Sequence, residues 1–199
     1  MRAVERQVLD LALAALPTRP EATLAINISG LTTGDQAWLR RLDAALRGRP
    51  DLAGRLVVEI TETAALRDIA ETLRYVEAVR ELGVRVALDD FGAGFTTFQH
   101  LKTLPVDIVK IDGSFVRGID ADEQNRLFVR NLIALAHSLN VRALAECVET
   151  AAEAEALVAE GADLLQGFHL GRPTLTPPAD GAGQTAASAT ATAGVRTSR

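Results

Sequence analysis

Short runs of Val, Ile and Leu alternate with helical patterns along most of the chain. The apolar runs are Leu24–Ser29, Leu56–Thr61, Val84–Asp89, Ile108–Asp112, Val141–Glu146 and Leu164–Phe168. Each has the aliphatic character of a parallel strand covered by helices. The segments between them carry helix start and stop signals. Asp68 with Glu71 forms a capping-box pattern, Ile69, Leu73, Val76 and Leu82 form one stripe, and Gly83 follows the last turn. Thr150 with Glu153 repeats the device before a helix ended by Gly161. Phe128, Leu132, Leu135 and Leu139 mark another, ended by Asn140, and Trp38, Leu42 and Ala45 mark one ended by Gly48. Val4, Val8, Leu11 and Ala15 predict an amphipathic helix at the start, and a short helix is predicted from Thr96 to before Pro105.

Strand–helix alternation predicts an α/β protein with a parallel sheet, which an open doubly wound sheet and a closed barrel both satisfy. Polar residues decide between them. They recur at the C-terminal ends of many strands, where barrel active sites gather, rather than at one switch point. Side-chain alternation sets Asn27, Glu59, Asp89, Lys110 and Asp112 opposite the apolar residues of their strands, pointing into a barrel mouth. Glu146 and Gln166 share the parity of Leu144 and Leu164, which places them past the strand ends or at a bulge. From Pro177 onward Ala, Thr, Gly and Ser dominate, so residues 174–199 are expected to be disordered, leaving 1–173 as the folded domain.

Composition narrows the chemistry. The chain has 199 residues and a formal net charge of −5, a poor balance for a nucleic-acid polymer or an anionic bilayer. No apolar run is long enough for a membrane span, Glu5, Arg6 and Asp10 interrupt any signal peptide, and the single Cys147 excludes an internal disulfide. Together these predict a cytoplasmic protein. With three histidines and one cysteine, any metal would be held mostly by oxygen.

A charge inside a parallel sheet is costly unless it is paired or bound to metal. A Lys110 ion pair with Asp112 or Glu59 would account for one such charge. Five polar residues on successive strands, with Asp89–Asp90 side by side before a Gly-containing loop and Glu146 nearby, point instead to a divalent site. All-oxygen ligands suit Mg²⁺ or Mn²⁺. Carboxylates shared by two such ions, beside a lysine, suit hydrolysis of a phosphodiester.

These residues also carry a family resemblance. Ala25-Ile-Asn27-Ile-Ser29, Val58-Glu59-Ile-Thr-Glu62, Asp89-Asp-Phe-Gly92 with Gly94, Val109-Lys110-Ile-Asp112, Ala145-Glu146-Cys-Val-Glu149-Thr150 and Gln166-Gly-Phe168 with Arg172-Pro173 stand in the order found in EAL domains. From about Val4 to Pro173 the chain resembles the EAL family of bacterial cyclic-di-GMP phosphodiesterases. The resemblance implies a TIM-like barrel that opens cyclic di-GMP to linear pGpG with Mg²⁺ or Mn²⁺. By the same resemblance Asn27, Glu59 and Asp89 would hold one ion, and Asp89, Asp90 and Glu146 would hold or approach the second. Lys110 would contact the attacking water, with Asp112 and Gln166 supporting the site. Glu62 would brace the loop after Asp90, and Glu149 would back the ligands. Residues 91–103 would form a homodimer contact.

The chain departs from the pattern in two places. The family's Glu-Ala-Leu motif on an early strand, which carries a ligand, is absent, and six strands are predicted where the family has eight. Cys147 stands where the family usually has Gly, whereas Ala93 and Phe95 are mild changes. Such an incomplete barrel would expose two sheet edges and be poorly stable alone. An upstream start, a protein partner over the edges, or a degenerate domain would each account for it. Three functions follow: hydrolysis of cyclic di-GMP, weakened or lost; cyclic-di-GMP binding without turnover; or a protein-interaction scaffold.

Overall fold

The computed structural model describes residues 2–92, 98–174, 187–188 and 195–197. Helix α1 (Arg2–Ala15) ends in a 3-10 turn at Leu16–Thr18 and leads to β1 (Leu24–Ile28). Helices α2 (Gln36–Leu46) and α3 (Pro50–Ala53) precede β2 (Leu56–Thr61). Helices α4 (Glu62–Arg67) and α5 (Ile69–Glu81) lead into β3 (Arg85–Phe91), and α6 (Phe98–Thr103) into β4 (Ile108–Ile111). Helices α7 (Gly113–Val116) and α8 (Glu123–Ser138) precede β5 (Arg142–Ala145), and α9 (Ala151–Ala159) precedes β6 (Leu164–Gln166).

Strands β1 to β6 pair in chain order and all in parallel, giving an incomplete, TIM-like half-barrel with its helices outside. Two further short segments, β7 (Ala187–Ser188) and β8 (Val195–Thr197), lie along β1 and β6, the first parallel and the second antiparallel. The rest of the tail expected to be disordered lies outside the described residues, as do residues 93–97 of the expected dimer contact and the predicted helix start at Thr96.

The caps read from sequence are present. Asp68 accepts from the Glu71 N–H at 2.9 Å, and the reciprocal box is complete at Thr150 and Glu153. On two helices, however, the most deeply buried residues are not the expected ones. On α1 the buried residues are Glu5, Leu9 and Ala12, while Val4 and Leu11 are 59% and 63% exposed. The reason is Glu5: its carboxylate accepts from the Ser29 N–H and the Thr32 hydroxyl, which turns that face toward the sheet. On α8 the fully buried residues are Val129, Ile133 and Ala136; Leu132, Leu135 and Leu139 of the expected stripe pack against them while partly exposed, and Phe128 packs on Phe115 of α7 with ring centroids 4.4 Å apart.

Two apolar layers flank the sheet. The larger fills the space between strands and helices and includes Ile26, Val58, Val86, Val109 and Trp38. The smaller takes one residue from each strand: Ala25, Val57, Ala87, Ile108, Leu144 and Leu164. This second cluster is the inner lining of the barrel. It bears out the parity read for the last two strands and corrects only the side on which their leucines lie, and Glu146 sits one residue past β5, as one of the two alternatives expected. Leu144 and Leu164 face inward, so Glu146 and Gln166, two residues further on, follow them to the same side without any bulge.

Candidate metal centre

One step above the inner apolar lining, the strands place Asn27, Glu59, Asp89, Lys110, Glu146 and Gln166 at the C-terminal mouth. Lys110 is its centre. The ammonium is buried and lies 3.0 Å from Glu59 Oε2, 3.0 Å from Asp89 Oδ1 and 2.7 Å from Glu146 Oε1. Burial opposes its charge, but the Glu59, Glu146 and Asp89 carboxylates outweigh burial and hold the Lys110 pKa above that of ordinary lysine. The cost falls on the acids. Burial pushes Glu146 up to about 7 against the attraction of Lys110, with Asp89 adding to the rise. Burial also raises Glu59, which Lys110 and a hydrogen bond from Asn27 partly oppose.

Asp89 and Asp90 are successive residues of one strand and would ordinarily point to opposite faces. The pairing of β3 with β4 shifts register between Leu88 and Phe91, and Asp90 takes a left-handed φ of 60°. This irregularity turns Asp90 toward the mouth, as bulges near functional sites commonly do. Ligand oxygens of Asp89, Asp90 and Glu146 then lie within 4.8 Å of one another. Burial and the neighbouring Asp89 and Asp112 charges raise the Asp90 pKa. Several carboxylates converge on one ammonium, a hard-oxygen arrangement suited to a divalent cation.

The remaining expected residues are more scattered. Asp112 lies just past β4 and caps α7, accepting from the Ser114 N–H at 2.9 Å. Gln166 is buried at the end of β6. There Gly167 is required, because a Cβ would come within 2.2 Å of the Val148 backbone. Glu62 is buried in the first turn of α4. Glu149 is half-exposed and faces Arg117 at 3.8 Å. Cys147 is left-handed at φ 56°, and its thiol fills the space that Gly113 leaves, where a Cβ would lie 2.6 Å from the sulfur.

Sequence reasoning gave Glu153 only a capping role. Its carboxylate in fact accepts three backbone N–H groups, from Gly118 at 2.8 Å, Glu149 at 2.8 Å and Thr150 at 3.0 Å. It therefore ties the α7–α8 connection to the segment that follows Glu146. The capping-box pattern pointed to Glu153 but not to the distant Gly118.

The chain spans about a fifth of the length of several curated relatives it matches, 22% of one and 19% of another, and about half, 52%, of shorter mycobacterial ones. It is 35% identical over 150 residues, 75% of this chain, to the Pseudomonas aeruginosa bifunctional diguanylate cyclase/cyclic di-GMP phosphodiesterase MucR. It is 31% identical over 170 residues to the cyclic di-GMP phosphodiesterase NbdA of the same organism, covering 85% of this chain and 22% of NbdA. Among solved structures, the PaMucR phosphodiesterase in complex with c-di-GMP superposes with a TM-score of 0.80 at 33% identity, covering 86% of this chain and 77% of that one. Klebsiella pneumoniae BlrP1 with manganese and c-di-GMP gives 0.74 at 29% identity, covering 85% and 43%. The EAL domain family model matches residues 1–173, and the chain belongs to the EAL domain family.

Proposed function

We propose that the chain is the metal-binding part of a cyclic-di-GMP phosphodiesterase that hydrolyses its substrate to linear pGpG. The observation that carries this reading is the convergence of Asp89, Asp90 and Glu146 oxygens within 4.8 Å, beside a buried lysine. Mg²⁺ or Mn²⁺ bound there would lower the pKa of a coordinated water and neutralise phosphate oxygens. Asn27, Glu59 and Asp89 would hold one ion, and Asp89, Asp90 and Glu146 the second. Lys110 would orient the attacking water and offset developing negative charge. Asp112 caps the start of α7 and its charge reaches Asp90, and Gln166, Glu62 and Glu149 would support the ligands from the neighbouring segments. The substrate is a cyclic dinucleotide met in the cytoplasm, and a homodimer through residues 91–103 belongs to the same reading.

Purified chain incubated with cyclic di-GMP and Mn²⁺ is expected to release pGpG, with the product lost in Asp90→Asn. No pGpG at high protein concentration would remove the catalytic reading.

One observation favours a second reading, binding of cyclic di-GMP without turnover. Lys110 already contacts three of the carboxylates. The Glu-Ala-Leu run of this chain, Glu155–Leu157, lies within α9, where Leu157 is core, so it supplies no ligand at the mouth. Calorimetry with cyclic di-GMP and Ca²⁺ separates the two readings: ligand heat without product supports binding alone.

A further inference from the structure

The opposite end of the half-barrel is also charged, with the other sign. Below the inner apolar lining, β3 and β5 begin with Arg85 and Arg142. Each stands two residues before an inward-facing lining residue, Ala87 and Leu144, and so takes the inward side. Arg85 crosses beneath β2: its Nη2 donates to Thr23 Oγ1, just ahead of β1, at 3.2 Å. Its Nε–H is shielded from water and has no hydrogen-bond partner among the described residues.

Neither arginine forms an ion pair among the described residues, and the nearby acids are engaged elsewhere. Asp107 accepts from the Val86 N–H at 2.8 Å and pairs with Arg80 at 3.1 Å. Asp163 accepts from the Ala143 N–H at 2.7 Å and contacts His137 at 2.8 Å. Arg55, the neighbouring cation on the β2 side, spends its guanidinium on the carbonyls of Leu16, Arg19 and Ala22. Two half-buried arginines thus take the inward side with no acid in direct contact, the charge of Asp107 reaching Arg85 only from beyond ion-pair distance, and one of them has an orphaned donor. Burial, and then the charge of Arg142, hold the Arg85 pKa below that of ordinary arginine.

We propose that this lower mouth is a binding site for a small tetrahedral oxyanion of the phosphate class, held between the guanidinium groups of Arg85 and Arg142. The planar forks match phosphate oxygens, and charge-assisted bonds to an anion satisfy the Arg85 Nε–H and relieve the repulsion between the two cations. Thr23 orients the Arg85 fork. The site is separated from the acidic mouth by the apolar lining, so it stands independently of the phosphodiesterase reading.

The test uses the full chain, free of divalent metal and at constant ionic strength, titrated with inorganic phosphate and, in parallel, with phenyl phosphate. Calorimetry is expected to show saturable binding of one phosphate, weakened by about tenfold or more in Arg142→Gln and in Arg85→Lys. In a ¹⁵N spectrum the Arg85 Nε–H resonance should move with the same saturation curve, a readout that needs no variant. Asp90→Asn should bind phosphate as the parent does. Phosphate binding without phenyl phosphate binding identifies a closed site for the free ion; binding of both identifies a site open to a terminal phosphate on a larger molecule. A titration that does not saturate, an Arg85 Nε–H that does not shift, or a phosphate affinity in either arginine variant equal to that of the parent overturns the proposal.

Discussion

The two mouths of the half-barrel present opposite solutions to burying charge. At the upper mouth three carboxylates close on the Lys110 ammonium at 2.7 to 3.0 Å. At the lower mouth Arg85 and Arg142 repel each other and pair directly with no acid among the described residues, although Asp107 attracts Arg85 from further off. A ring of six small and medium apolar residues keeps the two layers apart. The comparison teaches that burial alone does not indicate how much a charge stabilises the fold. A paired buried charge is expensive to break, because its partner is stranded, while an unpaired one can be removed at little cost.

The largest expected effect therefore comes from Lys110→Met. It leaves Glu59, Asp89 and Glu146 facing one another, and breaking a buried pair in this way costs about 3–5 kcal/mol. The mirror change, Arg85→Met, removes a repelled cation and is expected to shift stability by less than about 1 kcal/mol. Urea unfolding of both variants without metal checks the pair. Equal losses at the two ends would break the comparison. Mn²⁺ should restore much of the loss in Lys110→Met, since it supplies the missing positive charge, and none of any change in Arg85→Met.

Asp90 sharpens the upper half of the contrast. It is exposed and left-handed, a conformation Asn also tolerates, so Asp90→Asn should leave unfolding unchanged within about 0.5 kcal/mol. It nonetheless removes one of the three carboxylates whose oxygens gather within 4.8 Å and would hold the proposed ion. Mn²⁺ affinity measured by calorimetry is expected to fall by at least about tenfold, or about 1.4 kcal/mol. A variant that loses stability but keeps its Mn²⁺ affinity would place Asp90 in the fold rather than the site.

Much of the upper mouth was legible in the sequence, and nothing of the lower. Asn27, Glu59, Asp89 and Lys110 followed from alternation along regular strands, because a strand fixes side-chain direction by counting. For Glu146 and Gln166 the parity was right and Glu146 does lie past its strand, but no bulge is needed, because a barrel has a second apolar layer inside and apolar does not mean helix-facing. Asp90 could not be placed by counting at all, since a register shift and a left-handed residue set its direction. The buried face of α1 was misjudged because Glu5 looked like a surface charge, and only the Ser29 and Thr32 donors, more than twenty residues away, make its burial affordable. The arginines of the lower mouth were passed over because neither belongs to a motif.

A third kind of charge lies on neither mouth and tests the comparison from outside. Glu160, at the end of α9, accepts from Arg130 and Arg126, and these hydrogen bonds hold its pKa down to about 2. Its ordinary value is 4.5, so its contribution is complete above 4.5 and is lost as pH falls toward 2. Both arginines are substantially exposed, so Glu160→Gln is expected to cost only about 1 kcal/mol at pH 7. The difference from the parent should narrow below pH 4.5. A gap that stays constant with pH would mean that packing, not charge, carries it.

The smallest effect belongs to Cys147, beside the upper mouth. A left-handed backbone at φ 56° costs a residue with a Cβ about 1–2 kcal/mol relative to glycine. Cys147→Gly removes that cost but makes the unfolded chain more flexible, by about 0.5–1 kcal/mol, and gives up the thiol's contact with Gly113. The opposing contributions leave a net gain of no more than about 0.5 kcal/mol. Asn140, left-handed at φ 58° where α8 gives way to β5, is the internal control. Asn accepts this conformation, so Asn140→Gly should gain nothing. Thermal melts of the two glycine variants side by side therefore separate backbone relief from glycine's general effect. A Cys147→Gly protein less stable than Asn140→Gly would show that the sulfur packed on α7 outweighs the strain, and that the segment after Glu146 is held by that contact.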